Sequence, residues 1–246
     1  MRNIKVILQY EGTRYQGWQK QEGGGNTIQG RLEALLTKMC GSPVEVNGSG
    51  RTDAGVHALG QTANFHIDTD MTPEEIMRYM NEYLPEDIAV IQAQEASARF
   101  HSRLNATGKT YCYRVLNSSV PHIFDRRYVY EVPEVLDMEA MCRAADILCG
   151  THDYKAFTST KKGKKSTVRT VEAIIVTRVG DEIRFTFKGN GFLYHMVRIM
   201  MGTLLEVGMH KREAAQIKEL LTSGRREEAG MLVPAKGLTL VEVHYS

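Results

Sequence analysis

The chain has 246 residues, 42 % of them hydrophobic, enough to bury a sizeable core in one large domain or two of modest size. A net charge of +2 announces no polyanionic partner, so local clustering must carry any such case. Cys40, Cys112, Cys142 and Cys149 show no Cys-x-x-Cys spacing and are expected as reduced thiols; with no apolar leader and no bilayer-length run, the expectation is a cytoplasmic protein without membrane contact.

Residues 3–10 alternate, with Ile4, Val6, Leu8 and Tyr10 on one face, and predict a half-buried strand. A Gly-rich loop follows, carrying Arg14, Tyr15, Trp18 and Lys20. Aromatics interleaved with bases suit looped RNA, through stacking and phosphate contact. The other reading, that Tyr15 and Trp18 plug a core edge, is the one the residues favour by themselves. Asn26 or Thr27 caps a helix to Met39, with Ile28, Leu32, Leu35, Leu36 and Met39 at helical spacing. Between strand-like runs 44–46 and 61–67 lies a loop of glycines and small residues, 47–58, with Arg51 and Asp53 at its centre. A guanidinium beside a carboxylate favours the ionised form, which a nucleophilic Asp needs. Asp53-Ala54-Gly55 is by itself an ordinary turn, in which Asp53 bonds its own backbone, and that is the reading these three residues alone favour. Thr72-Pro73-Glu74-Glu75 opens a helix with a capping box, ending before Pro85, and 88–94 reads as a strand. The order so far, β-α-β-β-α-β, resembles a ferredoxin-like unit.

Residues 99–106, with Arg99, His101 and Arg103, form a connector that either meets phosphates or is solvated. A strand over 109–115 puts Tyr111, Tyr113 and Val115 on one face, where a Tyr is ordinarily core. A helix spans 137–148, capped by Asp137 and stopped at Gly150. The His152-Asp153 pair invites a metal, but adjacent residues on a loop with no second ligand cluster make no site, so none is expected. Lys161, Lys162, Lys164 and Lys165 form the strongest basic run, either solvated or attracting phosphate. Residues 168–179 and 182–188 make a hairpin across Gly180-Asp181. From Leu193 an apolar helix should be buried, so Arg198 within it needs a partner, for which Asp53 is the natural candidate; His195 is read as structural. A surface helix over 211–221 and a strand to Tyr245 close the chain.

Gly50-Arg51-Thr52-Asp53-Ala54-Gly55-Val56-His57-Ala58 resembles the active-site signature of the tRNA pseudouridine synthase A family. Gly12-Thr13-Arg14-Tyr15-Gln16-Gly17-Trp18-Gln19, Lys109-Thr110-Tyr111-Cys112-Tyr113-Arg114 and Phe192-Leu193-Tyr194-His195-Met196-Val197-Arg198 resemble further segments of it, so the likeness spreads from Gly12 to Leu240. Val233 stands before Pro234 where the family usually has Ala, a mild departure.

The resemblance implies an α+β pseudouridine synthase fold of two similar-sized, ferredoxin-like halves with mixed or antiparallel sheets meeting at a central cleft. Residues 1–105 would carry the Asp loop, and 106–246 Tyr111 and Arg198. It implies isomerisation of uridine to pseudouridine at tRNA positions 38, 39 and 40, in the anticodon stem-loop. Asp53 would be the nucleophile and Arg198 its partner. Arg51 could join that pair, fill the space of a flipped base or bind phosphate, and Tyr111 would lie against the base, where its hydroxyl could take a proton. Arg14, Lys20, Arg103, Lys161, Lys162, Lys164 and Lys165 are candidate RNA contacts. The reaction needs no metal, redox cofactor or ATP; the implied partners are the tRNA anticodon arm and a second copy of the chain. Two rivals stand beside it. One is a non-catalytic RNA-binding protein on the same scaffold, against which the Arg51, Asp53, Tyr111 and Arg198 set argues. The other is a metal-dependent hydrolase using Asp53, His57, His152 and Asp153.

Overall fold

The computed structural model describes residues 1–160 and 166–246, so the run Lys161, Lys162, Lys164 and Lys165 lies outside the described residues. The chain divides into two units, residues 1–107 with 239–246, and residues 108–238. The division is not simply consecutive, because the last strand belongs with the first unit.

Unit 1 runs β1 (Arg2–Tyr10), α1 (Ile28–Cys40), β2 (Val46–Gly48), β3 (His57–Ile67), α2 (Pro73–Tyr83) and β4 (Ile88–Ala96). β1 pairs antiparallel with both β3 and β4, and β2 pairs antiparallel with β3. The strand order β4-β1-β3-β2 with two crossover helices is that of a ferredoxin-like unit. The helix ends are as the residues dictate. Thr27 accepts from the Gly30 N–H at 3.2 Å. Thr72 and Glu75 form the reciprocal capping box, each satisfying a backbone donor of the other. Ile28, Leu32 and Leu36 of α1, Ile76 and Met80 of α2, and Ile4, Val6, Leu8 and Phe65 of the sheet are all buried. Each such side chain contributes about 1.5–3 kcal/mol by leaving water.

The connector is fastened to this unit by buried polar groups. The Asn3 amide donates to the carbonyls of Ser97 and Phe100 at 2.8 and 2.9 Å. Asn64 Oδ1 accepts from the backbone N–H and hydroxyl of Ser102, at 2.9 and 2.6 Å. All three residues are buried, so their mutual satisfaction is what makes two asparagines tolerable inside a sheet. Arg103 itself is exposed.

Unit 2 runs β5 (Ala106–Leu116), β6 (Tyr130–Glu131), α3 (Met138–Leu148), β7 (Gly150–Asp153), β8 (Val168–Val179), β9 (Glu182–Gly189), α4 (Met196–Gly208) and α5 (Gln216–Ser223). Its strands order β5-β9-β8-β7, all antiparallel, with β6 parallel to β5. Three expectations shift. Residues 150–153 are an edge strand and not a loop: Thr151 and Thr170 face each other across it, their hydroxyls 2.8 Å apart. α4 begins at Met196 and not Leu193, because His195 sits in the left-handed region at φ 65°. α5 begins at Gln216 and not Lys211; His210 also has positive φ, and Arg212 is bonded to Glu206 and to the Glu228 carbonyl, which hold the preceding turn irregular.

The final strand, β10 (Leu238–Tyr245), pairs parallel with the start of β3, Thr239 with His57 and Leu240 with Ala58. The approach is close enough that a Cβ on Gly60 would stand 2.4 Å from the Val241 carbonyl oxygen. The Tyr245 hydroxyl donates to the Ser102 carbonyl at 2.7 Å, and Lys5 Nζ lies 4.4 Å from the centre of its ring. Among the described residues no helix is long and apolar enough to cross a membrane. The fold is α+β throughout.

Candidate active site

The loop between β2 and β3 is gripped from three directions. From β1, the buried Tyr10 hydroxyl lies 2.8 Å from Thr52 Oγ1, and burial pushes its pKa up to about 12, so it stays a neutral hydrogen-bonding group. From β3, Gln61 accepts from the Ser49 hydroxyl at 2.6 Å and donates to the Gly50 carbonyl at 3.1 Å. From the Gly-rich segment after β1, the Trp18 backbone N–H donates to the Thr52 carbonyl at 3.0 Å, and the Gly55 N–H donates to the Tyr15 carbonyl at 3.3 Å.

That last contact explains the glycines of the segment. A Cβ on Gly12 would lie 2.0 Å from the Val56 carbonyl oxygen. Gly17 has φ +94°, and its Cβ would lie 2.6 Å from the Thr52 carbonyl oxygen. A Cβ on Gly48 would run into the Trp18 indole at 2.4 Å. Trp18 is only 2 % exposed and Tyr15 is buried, its hydroxyl donating to Asp87 at 2.6 Å. The core-plug reading of these aromatics therefore holds, and neither presents a face for stacking. The main sequence signal missed is that this segment serves as the back wall of the Asp loop; the paired glycines at 12 and 17 were the trace of it.

Asp53 is half-buried at the crest of that loop. Its carbonyl accepts from Val56 N–H at 3.2 Å, and Gly55 has φ +80°, so the chain turns at Asp53-Ala54-Gly55. His57 Nδ1 accepts from the Gly12 N–H at 3.0 Å, which gives that ring a structural task. Arg51 is exposed and ends a chain of side chains reaching back to α1. Its Nε donates to Gln19 at 3.0 Å, Gln19 donates to Gln29 at 2.7 Å, and Gln29 donates to Glu33 at 2.9 Å. Lys20 pairs with Glu33 at 2.9 Å and Arg14 with Asp87 at 2.7 Å. Both cations have raised pKa values, first because of those hydrogen bonds, and both side chains remain 60 % exposed.

In unit 2, Tyr111 is buried on β5, and its ring meets that of Phe192 edge-on at 5.3 Å. Tyr113, two residues on, donates its hydroxyl to the Pro234 carbonyl at 2.7 Å, and burial raises its pKa. Arg198 lies half-buried in the first turn of α4, among Val197, Ile199, Met200 and Met201, which are buried. Its Nε donates to the Val233 carbonyl at 2.9 Å. The residues just before α4 are pinned as well. Thr158 donates to the Tyr194 carbonyl at 3.0 Å, and the His195 ring stacks on Tyr194 and bonds Ser159 at 2.9 Å.

His152 and Asp153 fall on a strand, where successive side chains point to opposite faces, so they cannot chelate one ion. His152 Nε2 lies 2.9 Å from the Cys149 carbonyl, and Asp153 accepts from the Thr167 hydroxyl at 2.5 Å. Among the described residues no group of three His, Cys, Asp or Glu side chains could hold a metal.

Comparison with known proteins adds a second line. A family described as tRNA pseudouridine synthase matches residues 6–105 and 144–246. The chain is 46 % identical over 245 residues to tRNA pseudouridine synthase A 1 of Clostridium tetani, covering 100 % of both chains. It is 43 % identical to tRNA pseudouridine synthase A of Acetivibrio thermocellus, again over 100 % of each. A second Clostridium tetani protein, tRNA pseudouridine synthase A 2, is 42 % identical over 246 residues, with 100 % of this chain and 99 % of that one covered.

Proposed function

Because the chain belongs to the tRNA pseudouridine synthase family, we propose that it isomerises uridine to pseudouridine at positions 38, 39 and 40 of the tRNA anticodon stem-loop. The observation that carries this is likeness over the full length of both chains to proteins named for that activity. The reaction breaks the bond from C1′ to N1 and forms one from C1′ to C5. The C5 proton is lost to solvent and N1 gains one, so the composition and oxidation state of the nucleoside are unchanged overall. What it requires of the protein is an accessible target base, a nucleophilic carboxylate and a proton acceptor.

Asp53 is assigned the nucleophile. Supporting this, its loop is held by Tyr10, Gln61, Tyr15 and Trp18, and a carboxylate fixed in place loses little freedom on reaching the reactive geometry. Arg198 is assigned as cationic partner of that carboxylate, and Tyr111 as the group lying against the base, its ring braced by Phe192. Arg51 is exposed and suited to fill the gap in the RNA left by an extruded base, or to bind a phosphate. Arg14, Lys20 and Arg103, with Lys161, Lys162, Lys164 and Lys165, are proposed as RNA contacts, the first two in competition with their carboxylate partners. We read the protein as cytoplasmic and as a homodimer, needing no cofactor.

The deciding experiment uses an unmodified tRNA transcript tritiated at uridine C5, with chelator present. Release of tritium mapped to the anticodon arm is expected. Tight binding without release would favour the non-catalytic reading, and cleavage of the transcript in a parallel arm without chelator, with no tritium released, would favour the hydrolase.

A further inference from the structure

Residues 117–129 link β5 to β6 and carry exposed apolar groups: Phe124 is 96 % exposed, with Val120 and Ile123 beside it also exposed. Single apolar residues on a surface need no explanation, but three within five positions do.

The segment is not loose. Asn117 donates to the carbonyls of Val132 and Glu134 at 2.9 and 2.7 Å. Arg126 donates to the Ile123 carbonyl at 2.6 Å, and the Tyr128 N–H to the Asp125 carbonyl at 2.7 Å. Asp125 in turn accepts from Arg114, which is held bidentately by Glu182. These bonds close a tight turn under Ile123 and hold Phe124 outward. Its ring is displayed and not tucked in, so little ordering remains to be done on binding.

The charges choose the partner. Asp125 accepts from Arg114, Arg126 and Arg127 present exposed side chains, and the Lys236 ammonium donates to the Arg126 carbonyl at 3.2 Å. An exposed aromatic followed closely in the chain by two exposed arginines fits a polyanion with stackable faces, which is unpaired RNA. A second copy of the chain meeting here with Arg126 and Arg127 on the two-fold axis would set the same cations against each other. We propose that this loop is an RNA-contact site in which Phe124 stacks on an unpaired tRNA base and Arg126 and Arg127 meet flanking phosphates. The proposal rests on the tRNA reading above. Asp125, beside Phe124, is bonded to Arg114, whose side chain lies on the face of β5 opposite Tyr111, so the stacked base is not the one isomerised.

The test compares wild type, Phe124→Ala, Phe124→Trp and the pair Arg126→Gln with Arg127→Gln. It measures tRNA Kd against salt, isomerisation kinetics and sedimentation. Phe124→Ala should raise Kd and KM about tenfold or more, leave kcat within about twofold and leave the salt slope unchanged. Phe124→Trp should restore affinity, and its indole emission should quench on tRNA, Trp18 being buried. The arginine pair should make the salt slope shallower by roughly one to two. An unchanged Kd in Phe124→Ala overturns the proposal, as does a loss of affinity accompanied by loss of self-association, which would make the loop an interface between copies. Wild type that binds tRNA without making pseudouridine would sink the functional reading alone, since the Kd comparison still decides the stacking.

Discussion

Two irregular segments leave the ends of strands, residues 49–56 after β2 and 117–129 after β5, and they are built in opposite ways. The first is mostly small residues around Arg51 and Asp53, gripped by Tyr10, Gln61, Tyr15 and Trp18, with glycines allowing backbone to pack on backbone. The second is anchored at its base, by Asn117 and by Asp125 on Arg114, and it sends bulky side chains into water. A group that does chemistry has to be fixed within a fraction of an ångström, which demands contact on every side. A group that recognises a surface has to be reachable, which demands that contacts stop below it. The difference between the loops is the difference between those two requirements.

The largest effect should come from Asp53→Asn, which keeps the shape of the gripped loop and removes its charge. Isomerisation should fall to background while tRNA affinity stays within a few-fold; retained turnover would take the nucleophile away from Asp53. Gly48→Ala attacks the grip instead. Its methyl enters the space of the Trp18 indole, and overpacking of this kind costs about 1–3 kcal/mol, so thermal unfolding should come earlier and turnover drop at least about tenfold. A variant with wild-type melting and turnover would mean that Trp18 yields easily, and that the loop is less rigid than its contacts suggest.

Tyr10→Phe removes one bond from the grip. With Thr52 left short of a partner the expected loss is about 1 kcal/mol, seen in chemical denaturation, with a few-fold fall in kcat. Equal stability and rate would show that Gln61 alone suffices.

The smallest effect belongs to the base of the outward loop. The Arg114 hydrogen bonds hold the Glu182 carboxyl down to about 2, against an ordinary 4.5. A depressed carboxyl stabilises the fold above its unfolded pKa, and the contribution fades as pH falls from about 4.5 towards 2. Glu182→Gln should flatten that acid limb, with a difference at neutral pH of about 1 kcal/mol after solvent screening. Identical acid limbs would break the assignment of the pair as the anchor.

How much of this was legible in the sequence follows from the range of the interactions involved. Local chemistry was readable: the capping box at Thr72, the cap at Asp137 and the turn at Gly180-Asp181 each specify their element within a few residues. The long glycine-arginine-threonine-aspartate motif points to the family by its residues alone. Pairings between distant residues were not readable. β7 exists because Gly150–Asp153 lies along β8, and β3 starts as early as His57 because β10 runs beside it. His195 cannot be seen to break a helix from its neighbours, which are apolar and helix-compatible. Its left-handed turn accompanies bonds from Thr158 to the Tyr194 carbonyl and between Ser159 and its own ring, 36 positions away in each case. For the same reason Tyr15 and Trp18 left two readings open until their burial was known.

The pairing of His57 with Thr239 carries a consequence for how the protein is made. A ribosome completes α1, β1 to β4 and α2 first, yet the position beside the start of β3 stays vacant until the segment from 108 to 238 has followed. At 5–20 residues per second, the roughly 180 intervening residues keep it vacant for about ten seconds or more. During that time the open edge at His57 and Ala58 is a template for any other nascent strand. The half of the molecule that is synthesised first is therefore the half that is finished last.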